Sequence, residues 1–166
     1  MALARITAEE AALRLHEFSA VIDARSPAEF ALDHLPGAQN WPTLDDEQRH
    51  RIGTEYKQVS AFEARKRGAV LAARNIAQHI ENHAMGLPRD WRPLIYCWRG
   101  GQRSGALALV LGQIGFAVHV IDGGYVAFRR ALLAQMETLP LRLDLRVLCG
   151  RTGSAKSRLL QALAAE

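Results

Sequence analysis

Compact apolar runs alternate with longer amphipathic stretches along this chain. Ala20-Val21-Ile22-Asp23 and Pro93-Leu94-Ile95-Tyr96-Cys97 are short and almost wholly apolar, the pattern of strands buried on both faces of a sheet. Residues 117–121 and 143–149 read the same way. Helical stretches lie between them. Thr7-Ala8-Glu9-Glu10 is a capping box opening a helix to about Phe18, and Pro27 suits a helix start ahead of Glu29-Phe30. Residues 45–83 carry one long Ala- and Arg-rich helical pattern. Residues 104–115, 125–136 and a last stretch from Lys156 are helical too, and Leu35-Pro36-Gly37-Ala38 and Gly123-Gly124 are turns. Strands alternating with helices predict an α/β fold on a mainly parallel sheet. There is no internal repeat and no low-complexity segment.

Composition narrows this further. A length of 166 residues suits one medium domain with a short appendage. Hydrophobic residues at 49% and charged residues at 23% exclude wholesale disorder and fibrous repeats. Two cysteines, Cys97 and Cys149, exclude a disulfide scaffold and point to a reducing cytoplasm, where a thiol is catalytic or buried. Acidic residues by Glu9 leave no apolar signal region, and no run is long enough to cross a membrane, so a soluble cytoplasmic protein is expected. The net charge of +4 is unevenly spread: Arg49, Arg51, Lys57, Arg65, Lys66, Arg67 and Arg74 are opposed only by Glu55 and Glu63 within that stretch. Such a run can approach a phosphate backbone, although charge alone favours a solvated helix face.

The sharpest chemistry is in Cys97-Trp98-Arg99-Gly100-Gly101-Gln102-Arg103-Ser104, where an apolar strand gives way to a helix. Ligands of open α/β sheets bind there, outside the carboxyl ends of the strands. Backbone N–H groups of the loop and of the helix start form a nest that suits anions, a thiolate included. Gly100 and Gly101 let the backbone curl, and Arg99 and Arg103 offer charge-assisted hydrogen bonds to an oxyanion. Nucleophile, cradle and two guanidiniums thus fall within eight residues.

Phe30, His34-Leu35-Pro36-Gly37-Ala38, Asp23 and Arg25, and the position of Cys97 resemble the rhodanese pattern. The segments from Leu32 to Pro42, Gly53-Thr54-Glu55-Tyr56-Lys57-Gln58-Val59-Ser60, Tyr96 to Ser104 and Gly123-Gly124-Tyr125 are similar to the tRNA 2-selenouridine synthase family across nearly the whole chain. The resemblance implies a rhodanese-like open parallel sheet with helices on both faces over residues 1–138. A linker and a truncated P-loop strand-loop-helix would follow over 139–166. It also implies an enzyme replacing the sulfur of wobble 2-thiouridine in tRNA with selenium from selenophosphate. The route passes through an S-geranyl intermediate made from geranyl diphosphate. Cys97 matches the cysteine carrying selenium as an S-selanyl group, with Trp98, Arg99, Gly100, Gly101, Gln102, Arg103 and Ser104 around the oxyanion. No tightly bound cofactor and no metal are expected.

Cys97 to Arg103 spans C-x5-R, one residue longer than the usual sulfurtransferase loop and equal to that of phosphatases resembling the rhodanese fold. A wider loop can surround a tetrahedral oxyanion. The expected step is attack of the Cys97 thiolate on selenium, with phosphate leaving into the cradle. A C-x5-R phosphatase or arsenate reductase and a plain sulfurtransferase are the alternatives. Against the first, Tyr96 stands where such phosphatases usually have His, and the loop carries no acid for a leaving alcohol.

Gly150-Arg151-Thr152-Gly153-Ser154-Ala155-Lys156-Ser157 follows an apolar run and precedes a helical one, the context of a phosphate-binding loop. Gly150, Gly153, Lys156 and Ser157 are its candidate phosphate-binding residues. Ala155 replaces the pattern's Gly, which costs about 1–2 kcal/mol if the backbone there is left-handed. Few residues follow, so the segment reads as a stub with Lys156 flexible. His34 is expected to be structural. Asp23, Arg25 and Glu29 are expected to form one polar network, and Trp98, Trp41 or Tyr56 to stack on a base, with Trp98 the best placed. Cys149 reads as a small buried side chain. His79 and His83 at i, i+4 lack a third metal ligand.

Overall fold

The computed structural model describes residues 4–138 and 146–164. Chain contacts divide into two compact units, Met1–Ala134 and Gln135–Glu166.

In the first unit a five-stranded, all-parallel sheet carries the core. The strands are β1 (Ala4–Ile6), β2 (Ala20–Asp23), β3 (Ala38–Asn40), β4 (Pro93–Tyr96) and β5 (His119–Ile121), in the spatial order β1-β5-β4-β2-β3. The central β4 is buried at all four positions. Alternate residues point to opposite faces, as the pleat requires. Val21, Leu94 and Tyr96 face a cluster with Ala8, Ala11, Tyr125 and Phe128, from α1 (Ala8–Arg14) and α6 (Gly124–Thr138). Ile22, Ile95 and Cys97 face Ile76, Leu107, Ala108 and Leu111, from α4 (Ala61–His79) and α5 (Gln102–Ile114). Helices thus cover both faces, as expected of an α/β chain.

The Thr7 capping box forms as read, with Thr7 Oγ1 accepting the Glu10 N–H at 3.1 Å and Glu10 accepting the Thr7 N–H at 3.0 Å. Residues 45–83 do not make one helix. They make α3 (Asp46–Gln58), α4 and a π-helical turn (Ile80–Ala84), because Val59 leaves helical geometry and Ser60 restarts it, accepting the Glu63 N–H at 3.3 Å. Between β2 and β3 lies α2 (Pro27–Leu32), where Pro27 takes the first turn. The three-residue β1 and β3 were not anticipated. They are short edge strands, too brief to show a period.

In the second unit α7 (Lys156–Leu163) forms where expected. The predicted strand over 143–149 does not form among its described residues, 146–149; residues 143–145 lie outside them. A strand exists only through a pairing neighbour, and Val147 is 82% exposed. Among the described residues no helix is long and apolar enough to cross a membrane.

One ion pair organises the carboxyl edge of the sheet. Arg25 is 1% exposed and Asp23 0%; the guanidinium binds the Asp23 carboxylate through Nε at 2.9 Å and Nη2 at 2.6 Å. Nη2 also donates to the Asp33 carbonyl at 2.6 Å, and Asn40 Nδ2 donates to the Asp23 and Arg25 carbonyls. Removing one partner strands a buried charge, which costs about 3–5 kcal/mol. Urea unfolding of Asp23→Ala and of Arg25→Ala should each show a loss of that size. The double variant should lose clearly less than the sum, and strict additivity would refute the coupling.

Candidate active site

Strand β4 ends at Tyr96, and Cys97 follows with 3% exposure. Its Sγ accepts the Gly101 N–H at 3.3 Å and lies 3.2 Å from Ser104 Oγ, whose single hydroxyl proton is shared between Sγ and the Gly101 carbonyl at 3.3 Å. Helix α5 starts at Gln102, so its first N–H groups have no partner inside the helix and lie just beyond the sulfur.

The loop is held from beneath by the turn after β5. Tyr125 N–H donates to the Cys97 carbonyl at 2.8 Å and Val126 N–H to the Trp98 carbonyl at 3.2 Å. Gly100 and Gly124 both have left-handed φ, +65° and +59°. A Cβ on Gly124 would meet the Cys97 carbonyl oxygen at 2.2 Å, and one on Gly100 would meet the Ile121 carbonyl oxygen at 2.7 Å. Gly100 and Gly124 are there so that one loop can lie on the other.

Arg103 does not turn toward the cradle. Its Nη1 donates to Glu29 Oε2 at 2.5 Å and Nη2 to Oε1 at 3.2 Å, with Arg49 Nε 3.9 Å from Oε2. Glu29 therefore leaves the expected network with Asp23 and Arg25 and instead ties α2 to the start of α5. Burial works against the Glu29 carboxylate, but the Arg103 hydrogen bonds and charge outweigh it and hold its pKa below the ordinary value. Arg99 is exposed and has no protein partner among the described residues.

A cleft of about 520 Å³ opens over the sulfur, lined by Cys97, Trp98, Arg99, Gly101, Gln102 and Arg103 and, from the α3–α4 hairpin, by Gly53, Tyr56, Lys57, Arg49 and Arg65. The basic stretch is thus split: Arg49, Lys57 and Arg65 face the cleft, while Lys66 and Arg67 pair with Glu63 and Glu55. Sequence charge alone did not separate them; their positions on the two helices do. An apolar cavity of about 480 Å³ adjoins the cleft, sharing Leu44, Ile52, Tyr56, Arg65, Gln102 and Arg103 with it and lined deeper by Ala64, Gly68, Ala69 and Ala72.

Of the aromatic candidates, Trp98 is 39% exposed and stacks on Tyr125 at 5.5 Å, and Tyr56 is 47% exposed. Trp41 is 3% exposed, packed in the core against His79, His83 and Trp91, so it cannot reach a base. His79 binds the Pro42 carbonyl through Nε2, and burial lowers its pKa. His34 stacks on Phe30 and contacts its carbonyl. Among the described residues no cluster of three His, Cys, Asp or Glu is placed to hold a metal ion.

The second unit is described by itself. Ala155 has φ +59°, the one left-handed non-glycine residue described, so the strain anticipated at this position is present. Lys156 Nζ donates to the Gly150 and Arg151 carbonyls at 2.9 and 2.7 Å. Gly150, Gly153 and Ser157 are exposed on the same loop and helix start. Cys149 is exposed, not buried, since no strand forms around it.

The sequence profile of the rhodanese-like domain matches residues 7–131. The chain belongs to the rhodanese-like domain family. Two relatives named tRNA 2-selenouridine synthase, from Alcanivorax borkumensis and Marinobacter nauticus, are 38% and 35% identical over 85% and 86% of this chain. The chain spans 39% of the length of each. Among solved structures, the N-terminal domain of a putative ATP/GTP binding protein from Clostridium difficile 630 superposes with TM-score 0.67 and 30% identity, over 80% of this chain and 99% of that one. A rhodanese-related protein from Thermoplasma volcanium, 17% identical with TM-score 0.50 over 76% of this chain and 91% of its own, shows the same fold.

Two outcomes test this geometry. Gly124→Ala should push the rhodanese loop off its support and cut Cys97-dependent activity by about 10²-fold or more; Gly112→Ala on α5, where a Cβ meets nothing within 4 Å, should leave it unchanged. Glu29 has a depressed pKa, so its contribution is complete above the ordinary glutamate value of about 4.3 and is lost as pH falls through its folded value. The stability difference between the parent and Glu29→Gln in urea should be constant above that pH and shrink below it.

Proposed function

We propose that this rhodanese-like domain handles selenium for a tRNA 2-selenouridine synthase. In this reading it opens selenophosphate at Cys97 so that selenium can replace the sulfur of wobble 2-thiouridine in a cytoplasmic tRNA. The observation that carries the proposal is convergence. Two segments resembling that family, separated in sequence, line one cleft, with Gly53, Tyr56 and Lys57 beside Cys97, Trp98, Arg99, Gly101, Gln102 and Arg103, and a third, Gly123-Gly124-Tyr125, supports the loop from beneath. The named relatives support the same reading.

Each part of the site has work in this scheme. Cys97 is the nucleophile. The N-terminus of α5 receives the oxyanion, and Arg99 and Lys57 add positive charge where an anionic substrate must be held. Arg103, pinned by Glu29, fixes the start of α5 and so the direction of those N–H groups. Cys97 is the sulfur on which the resemblance implies that selenium is carried as an S-selanyl group. Trp98, half-exposed beside the sulfur, is placed for a splayed uridine to stack on. Arg49 and Arg65 approach the tRNA backbone. The adjoining apolar cavity is the place for the geranyl chain of an S-geranyl-thiouridine derived from geranyl diphosphate. The loop from Gly150 to Ser157 would take a diphosphate only by displacing the Lys156 bonds to its carbonyls.

With selenophosphate, Cys97→Ser should lose selenium transfer by about 10³-fold or more, and Arg99→Ala should lose about 10²–10³. Undiminished transfer by Cys97→Ser, measured as selenium leaving selenophosphate, would refute covalent catalysis at this site.

A further inference from the structure

Tyr125 meets the Cys97 loop at two neighbouring residues. Its N–H donates to the Cys97 carbonyl at 2.8 Å, and its ring stacks on the Trp98 indole, 5.5 Å between centroids and 24° between planes. Val126 N–H, on the Trp98 carbonyl at 3.2 Å, completes a two-rung ladder between turn and loop. The ladder fixes the Trp98 backbone but not its side-chain torsions, and the indole is exposed. The Tyr125 ring is what holds its inner face.

We propose that Tyr125, tethered by Asp33, is a positioning residue for Trp98, setting the indole as a fixed platform on which a uracil ring of tRNA stacks beside Cys97. The proposal rests on the reading of tRNA as substrate and of Trp98 as the residue its base stacks on, and it adds what orients that residue. The Tyr125 ring is itself immobile. It is buried, its hydroxyl donates to the Asp33 carboxylate, and the Arg25 guanidinium lies 4.1 Å from its centroid. Arg25 is chelated by Asp23, and its Nη2 donates to the Asp33 carbonyl at 2.6 Å. Asp33 is thus gripped at two points, its carbonyl by Arg25 and its carboxylate by Tyr125, although its side chain is exposed. The Tyr125 bond lowers the Asp33 pKa, so the acceptor is ionised at neutral pH, where a charged acceptor makes the stronger bond.

The indole lines the cleft together with Cys97 and Arg99. Stacking accepts any base, so its value for a reaction lies in where it puts the ring. Chemistry at one carbon of that ring needs a fixed distance from the sulfur, and a misplacement of about 1 Å can cost 10²-fold. A loose indole holds a base in many positions; one clamped on Tyr125 holds it in one. Because Tyr125 also carries the Cys97 carbonyl, sulfur and platform share a single support.

Acrylamide quenching of tryptophan fluorescence, and binding of an anticodon stem-loop RNA with 2-thiouridine at the wobble position, test this in the full chain. Trp41 and Trp91 are buried, so quenching reports Trp98. Tyr125→Leu should raise the quenching constant and weaken RNA binding about tenfold. Tyr125→Phe, which keeps the ring, should recover most of that affinity. Asp33→Ala changes only an exposed side chain and tests the tether even if Tyr125→Leu does not fold. It should raise quenching and weaken binding severalfold. Trp98→Ala should lose about tenfold, and the double variant Tyr125→Leu, Trp98→Ala should lose no more than Trp98→Ala alone. Additive losses, or parent-like quenching and binding in Asp33→Ala, would overturn the proposal and leave the stacking reading intact. Undiminished RNA binding by Trp98→Ala, or none by the parent chain, would overturn both.

Discussion

The active end of this domain hangs on a buried guanidinium. Arg25 is chelated by Asp23 at the tip of β2, and its face is closed by the rings of Tyr125, Tyr96 and Trp98 at 4.1, 5.5 and 5.9 Å from their centroids. These rings belong to the end of β4, the residue after Cys97 and the turn after β5. Their electron-rich faces suit a cation held away from water. Around them, Tyr96 accepts the Leu35 N–H and the Tyr125 hydroxyl donates to Asp33, so the Leu35-Pro36-Gly37 turn is tied to the same centre. Burial pushes the Tyr96 hydroxyl well above its ordinary pKa and keeps it a neutral bridge. A charge that cannot leave thus fixes where three loops meet.

On that base the loop after Cys97 is shaped by steric permission more than by attraction. Gly100 and Gly124 approach each other closely enough that no side chain fits at either, and this proximity lets Tyr125 and Val126 N–H groups grip the loop's carbonyls. With the carbonyls facing the support, the opposite side of the loop is left with N–H groups, a sulfur and positive charge. Arg103 contributes by being anchored, since its pair with Glu29 sets the start of α5 and hence the aim of the helix N-terminus. The α3–α4 hairpin closes the other wall and supplies the remaining cations.

Much of this was legible in the sequence where local rules decide. The buried β2 and β4, the Thr7 capping box and the strand-to-helix position of Cys97 follow from apolar runs and cap chemistry. The left-handed backbone at Ala155 was visible from the glycine that the loop pattern calls for. What escaped depended on distant partners. Val59–Ser60 breaks a helical pattern whose composition continues through it. Glu29 stood near Asp23 and Arg25 in sequence, yet Arg103, 74 positions on, claims it. The orientation of Arg49, Lys57 and Arg65 toward the cleft is set by the packing of α3 on α4. Val147 and Leu148 are apolar enough for a strand, but no strand forms over 146–149 and Val147 stays exposed.

In the proposed reading the Cys97 loop receives an oxyanion beside the sulfur. Protection of Cys97 from a small alkylating reagent tests it most directly, in the parent chain and in Arg99→Ala. The account predicts saturable protection by selenophosphate and by inorganic phosphate alike, weakened in Arg99→Ala. Alkylation at an unchanged rate under saturating amounts of either anion would contradict it.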